Sequence, residues 1–262
     1  IMGYCQQTGQ IGVASATSSV NASRYNMPYS RGVLPRFQKN GAIIMAQAFS
    51  SFSLPFIIAD LLEQGASFDE VHAAIQKDPL YKVSQVGIVK VGGAMWAYTG
   101  VDCAETKMHI IGDDYLVMGN ILVSKRPFKE MASTMESTRH LPLKERLMRG
   151  IEAGRDAGGQ WEETYGHLPE LWAMLQVFDG SEKPLVDLRV DYDIEAVARL
   201  RRILDDLTPI EDFLNLEAID NVKYMEIWKS EGNPVMKMYR RDLAAKQRSS
   251  PDTIRARKRS QL

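Results

Sequence analysis

Ile1-Met2-Gly3-Tyr4-Cys5, then Gln6-Gln7-Thr8-Gly9-Gln10, then Ile11-Gly12-Val13-Ala14-Ser15-Ala16-Thr17-Ser18-Ser19 open the chain. Two β-type runs on either side of a polar, Gly-containing turn read as a hairpin. Small residues alternate through the second run, which predicts that another element packs close against it. The sequence begins with Ile rather than Met, so the expectation is of a processed, trimmed or incompletely recorded start.

Working outward, further strand-like runs fall at 41–48, 83–91, 94–99, 114–122, 171–178 and 185–190, rich in Val, Ile, Tyr and small residues. Val91-Gly92-Gly93-Ala94 reads as a hairpin turn. Leu54 to Glu63 is apolar all round and predicts a buried helix, with Gly65 as its stop. Ser67-Phe68-Asp69-Glu70 is a capping box for a helix through Gln76. Helices are predicted at 127–138 and 142–156, the second ended by Gly158-Gly159, and from a cap at Asp193 through Asp206. Hairpins alternating with helix pairs point to an α+β fold of antiparallel sheets covered by helices. Residues 1–206 are expected to form one domain, 207–238 a helical extension packed on body or partner, and 239–262 a basic tail.

A chain of 262 residues, 45% hydrophobic and 25% charged, is ordinary for a soluble globular protein. Cys5 and Cys103 make no disulfide framework, and a reducing cytoplasm fits them. No apolar run approaches the roughly 20 residues that span a bilayer, so no membrane partner is expected. The net charge of -1 hides an asymmetry: eight basic residues against two acids leave 239–262 at +6, and the remainder at -7. No aromatic residue follows Tyr239 to stack on bases, so a solvated tail is favoured over nucleic-acid binding.

Several short motifs recur in order: Thr8-Gly9, Gly12-Val13-Ala14, Ser18-Ser19, Gly41 to Gln47, Asp78-Pro79, Gln85 to Val89 and Thr99-Gly100. Cys103, His109, Gly112, Gly119-Asn120, Glu152-Ala153-Gly154, Gly158-Gly159 and Asp187 to Asp191 continue the series. Together they resemble, over roughly residues 1–205, domain-of-unknown-function family 1028, which is grouped with the N-terminal-nucleophile (Ntn) hydrolases. The resemblance implies a four-layer αββα sandwich of antiparallel sheets, with the C-terminal helical extension outside it. It implies hydrolysis of a C–N bond in a small amide or peptide substrate, without cofactor or metal. Such enzymes attack with the side chain of a terminal Thr, Ser or Cys and use their own α-amine, of ordinary pKa near 8, as base. Ile1 cannot attack, so the nucleophile is expected to be a Thr or Ser upstream of Ile1. Cys5 could replace it only after cleavage behind Tyr4, and it reads instead as a small core thiol.

His109 lies six residues after Cys103, as the resemblance requires, and is a catalytic candidate against a structural one. Thr106-Lys107-Met108 stands where relatives carry Trp-Ala-Gly, so the pocket wall is expected to differ. Asn120 within an apolar run is either an oxyanion donor or a satisfied structural amide, and Gln47 has the same two readings. Ser18 and Ser19 at the end of the second run could line the same cleft. In Asp187-Leu188-Arg189-Val190-Asp191, period two puts Asp187, Arg189 and Asp191 on one face. There the guanidinium could grip a substrate carboxylate, or close a structural ion pair. His109, Asn120 and at least one of Asp187 and Arg189 are expected to converge at the open end of the first strand. Asp113-Asp114 after Gly112 reads as a turn rather than a metal pair.

The sharpest departure follows Gly158-Gly159, where relatives continue with an acid, Arg-Gly and Gln-Ser, and this chain reads Gln160-Trp161-Glu162-Glu163-Thr164-Tyr165-Gly166-His167-Leu168-Pro169-Glu170. That change implies altered specificity, transfer of the lost roles to His167 or Glu170, or loss of activity. Two functions therefore stand: an Ntn-type amidohydrolase, and a non-catalytic binding or assembly protein of the same fold. A homodimer is the expected assembly.

Overall fold

The computed structural model describes residues 1–19, 36–38, 41–51, 53–180 and 184–249. The opening hairpin forms as strands β1 (Met2–Tyr4) and β2 (Ile11–Thr17), with Gly3 opposite Gly12. It lies at the centre of a six-stranded antiparallel sheet completed by β7 (Met108–Ile111), β8 (Tyr115–Gly119), β11 (Trp172–Phe178) and β12 (Val186–Val190). The strand order is β12-β11-β2-β1-β8-β7. A second antiparallel sheet runs β3 (Arg36–Gln38), β4 (Ala42–Ala48), β5 (Ser84–Lys90), β6 (Met95–Thr99). Two short strands, β9 (Gln160–Glu162) and β10 (Gly166–Leu168), pair as a separate hairpin.

Strand β4 is almost wholly apolar because both of its faces are covered. Ala42, Ile44 and Ala46 pack with helices α1 (Leu54–Glu63) and α2 (Phe68–Ile75), through Leu54, Ile58, Val71 and Ile75. Ile43 and Met45 point the other way and share a core with Met2, Val13, Leu116 and Met174 of the larger sheet. Gly87 lets the sheets approach: a Cβ there would stand 2.6 Å from the Leu116 side chain. The opposite face of the larger sheet meets α3 (Arg126–Ser137) and α4 (Leu143–Asp156). Here the small residues of the hairpin find their cause, since a Cβ on Gly12 would fall 2.6 Å from Leu147 Cδ1 and 2.9 Å from the Gln176 carbonyl. Helix α5 (Ala196–Leu207) is tied to α4 by Arg201, whose guanidinium meets Glu145 and Glu152 at 2.7 Å each.

Each predicted run from the opening hairpin through 185–190 contains a strand, the predicted helices form, and the α+β reading holds. The capping box closes as expected, with the Ser67 backbone nitrogen donating to Glu70 Oε2 at 2.8 Å. Strands β3, β7, β9 and β10 were not anticipated. Cys5, expected as a core thiol, is instead half-buried in the turn after β1. Burial pushes its thiol up, but hydrogen bonds from Thr8 and Gln7 and the nearby Arg146 outweigh this and hold it below the ordinary cysteine value. Asp113 and Asp114 form the β7–β8 turn and pair with Arg139 and Arg146, each at 3.0 Å. Among the described residues no cluster of His, Cys, Asp and Glu is arranged to hold a metal, and no helix is long and apolar enough to cross a membrane.

The chain divides into two compact units, Ile1–Ile203 and Leu204–Leu262. The second contains α6 (Glu211–Ile219), α7 (Asn221–Lys229) and α8 (Pro234–Ser249). Its aromatic residues partly satisfy one another: Tyr224 stacks on Phe213 at 5.0 Å and on Trp228 at 6.0 Å between ring centroids. Asn233 caps α8 by accepting from the Val235 nitrogen at 2.9 Å. The expected basic tail is helical from residue 239 to 249, and its remainder lies outside the described residues.

Candidate functional site

A cleft of about 290 Å³ opens in the first unit where β2, β4 and β8 end. Ile1 lines it, with its nitrogen donating to the Ala14 carbonyl at 2.8 Å and its carbonyl accepting from the Ala14 nitrogen at 2.9 Å. The hairpin ladder thus continues to the cleft edge. Ser18, Ser19, Gln47 and Asn120 line the cleft as well. Ser18 is held in place by Gln160, whose Oε1 accepts from the Ser18 nitrogen at 2.6 Å.

Alternation explains why polar side chains gather here. Residues 43, 45 and 47 of β4 share the inter-sheet face, as do 85, 87 and 89 of β5 and 116, 118 and 120 at the end of β8. Gln47, Gln85 and Thr99 stand opposite one another across three adjacent strands. The apolar inter-sheet core therefore ends in a polar row.

Gln85 is the hub of that row and is fully buried. Its Nε2 donates to the carbonyls of Gly119 (2.9 Å) and Met108 (3.1 Å) and to Thr99 Oγ1 (2.9 Å). Carbonyls only accept, so they fix which end of the amide is nitrogen. Gln85 Oε1 must then accept, and it does so from Gln47 Nε2 at 2.6 Å and Asn120 Nδ2 at 3.3 Å. Each of those amides keeps one N–H and its carbonyl oxygen for the cleft. Thr99 Oγ1, already accepting from Gln85, has its hydrogen free for His109 Nδ1 at 2.9 Å. Burial pushes His109 below its ordinary pKa of 6.5, which agrees with a neutral, accepting Nδ1.

The backbone at the cleft is strained. Ala48 and Ile121, both lining it, hold positive φ of 64° and 56° without being glycine. Ile121 turns the chain out of β8 toward β9, where the Trp161 nitrogen donates to the Ile121 carbonyl at 2.9 Å. Asn120 is left at the rim.

The predicted site residues divide. Ser18, Gln47 and Asn120 come together with Ile1. His109 does not line the cleft: it sits on β7 opposite Met118, whose residue forms the wall, and reaches the cleft amides only through Thr99 and Gln85. Asp187, Arg189 and Asp191 also lie away from it, exposed on or just beyond the edge strand β12. Arg189 pairs with Asp191 at 2.5 Å, and Asp187 accepts from Gln176 at 2.8 Å. The structural ion pair is the reading that this geometry carries. Of the residues expected to converge on Ile1, Asn120 lines the cleft with it, and His109, Asp187 and Arg189 are not among the lining residues.

Three site residues escaped the sequence reading as site residues. Gln85 lay in a noted motif, and its signal was a polar residue in register with Gln47 on the core face. Glu170, raised only as a possible replacement, lines the cleft and is buried. Arg155 lines it too, and a hydrogen bond to Asp156 at 2.8 Å helps to hold its guanidinium above the ordinary value.

A family model described as a family of unknown function, DUF1028, matches residues 1–200. No curated protein matches the chain. Among solved structures, the crystal structure of protein SPO2555 from Silicibacter pomeroyi, itself assigned to the DUF1028 model, is similar with a TM-score of 0.66. The two share 20% identity over 79% of this chain and 87% of that one, a likeness of fold.

Proposed function

This chain belongs to the DUF1028 family, and on that premise we propose that it is an N-terminal-nucleophile amidohydrolase cleaving a C–N bond of a small substrate. The four-layer αββα arrangement of that class is supported by the order of packing: α1 and α2 on the smaller sheet, the two sheets face to face, and α3 and α4 on the larger sheet. One observation carries the reading. Ile1 is paired into the central hairpin and lines the cleft, so a residue joined to its nitrogen would enter the cleft beside Ser18 and Asn120.

The proposed nucleophile is a Thr or Ser hydroxyl on such a residue. It attacks the substrate carbonyl, and the Asn120 N–H not used by Gln85 suits the oxyanion that forms. Collapse expels the amine with a proton and leaves an acyl ester, which water hydrolyses. His109 acts in this reading as a positioning residue, through Thr99 and Gln85.

The test is N-terminal sequencing of the native protein together with amine release from a panel of small amides. A terminal Thr or Ser with amine release supports the proposal. A native terminus at Ile1, or a terminal Thr or Ser with no release from any amide, favours the non-catalytic binding protein.

A further inference from the structure

The polar row supplies part of the cleft lining, and another part of the lining carries charge. Arg155 and Glu170 are the only ionisable side chains among the described residues lining the cleft. Glu170 is 8% exposed, and among the described residues its carboxylate has no hydrogen-bond or ion-pair partner. A buried carboxylate is costly unless a donor or cation reaches it. The fold nevertheless makes room for it: a Cβ on Gly159 would lie 2.2 Å from Glu170 Oε1 and push the carboxylate aside, and the φ of +55° there suits glycine as well. Arg155 is held through Nε by Asp156 and makes no ion pair with Glu170, which leaves its two Nη nitrogens open. One cation and one anion thus face the same small cleft without a direct ion pair between them, although the Glu170 charge is among those that raise Arg155.

We infer that this charged part of the cleft is a subsite for a free α-amino acid group, its ammonium on the Glu170 carboxylate and its carboxylate on the Arg155 Nη nitrogens. Three ammonium hydrogens suit a carboxylate acceptor, and the guanidinium edge suits a carboxylate in a bidentate pair. The remainder of such a ligand extends toward Gln47 and Asn120. This substrate class rests on the cleft being the working site proposed above, but not on hydrolysis.

The experiment is calorimetry of the full-length protein against the twenty L-amino acids. The tightest binder is then compared with its N-acetyl and α-amide derivatives, which remove the ammonium and the carboxylate in turn. Each derivative is expected to bind at least tenfold more weakly. Glu170→Gln should erase the discrimination against the N-acetyl form, and Arg155→Gln that against the amide. If either variant fails to fold, the derivative series on the unaltered protein still decides. No binding by any amino acid, or a derivative that binds as tightly as the parent amino acid, overturns the inference. Binding without amine release from any amide supports the subsite and counts against the hydrolase. Amine release from neutral amides that lack both charges, undiminished in Glu170→Gln, does the reverse.

Discussion

Gln85 has no exposure to solvent and five polar partners drawn from four strands and the residue after β8. Its replacement by an isosteric apolar group removes the Gln85 donor from the part-buried Met108 carbonyl and the buried Gly119 carbonyl. Gln85→Leu is therefore expected to destabilise the protein by about 3 kcal/mol, measured by denaturant unfolding, since each orphaned buried group costs roughly 1–3 kcal/mol. His109 adds a pH dependence. Its native pKa lies below the ordinary 6.5 because burial disfavours the cation. Below 6.5 the unfolded chain takes up the proton first, so stability present above that value is lost as pH falls through the lowered native pKa. The melting temperature of the native protein should fall more steeply from pH 7 to 5 than that of His109→Gln, and parallel profiles would refute this. The same residues show what sequence could reveal. Gln47 and Asn120 announced themselves as amides in apolar runs, whereas Asp187, Arg189 and Asp191 carried an alternation that suits a solvated edge strand equally well. Period two assigns a face, but it does not say which sheet edge a strand occupies.

At the scale of elements, length decided legibility. Strands of seven residues, such as β4, β5 and β11, show themselves in the sequence as long, largely apolar runs. Strands of three or four residues, such as β7, β9 and β10, are too short to show one, and pairing with neighbours decides them instead. For that reason the hairpin at 160–168 read only as a departure from relatives, although its Gln160 anchors Ser18 and Glu170 follows shortly after it. The small residues of β2 were readable as a close approach, and α4 is the element that makes it. Gly12→Ala sets a methyl against a Leu147 methyl, which can move, and against the Gln176 carbonyl, which cannot. A loss of about 2 kcal/mol is expected from overpacking of this kind. Gly9→Ala provides the contrast, because that site has open space and pays only for its φ of +71°. If calorimetric melting places Gly12→Ala no lower than Gly9→Ala, the helix–hairpin contact is not close-packed.

For the whole molecule, two compact units and an uneven charge frame the question of assembly. In the second unit Phe213 is buried and its ring stacks on Tyr224, so part of the aromatic surface is satisfied within the unit. Val222 at 72% exposure, Tyr239 at 57%, Met225, Trp228 and Leu243 remain open on α7 and α8. That many exposed large apolar side chains on two neighbouring helices of the sequence invite a partner, and two-fold pairing is the commonest soluble assembly. The basic residues of α8 and beyond oppose the acidic remainder, so charge favours contact between that helix and another copy's body while like charges discourage tail-to-tail pairing. A homodimer of twice 29.5 kDa is the expected mass by light scattering at micromolar concentration. Trp228→Glu combined with Tyr239→Glu should return it to 29.5 kDa without lowering the unfolding midpoint of the first unit. A monomer mass for the unaltered chain would reject pairing through this surface. It would leave the cleft reading intact, because every residue that forms the cleft belongs to the first unit.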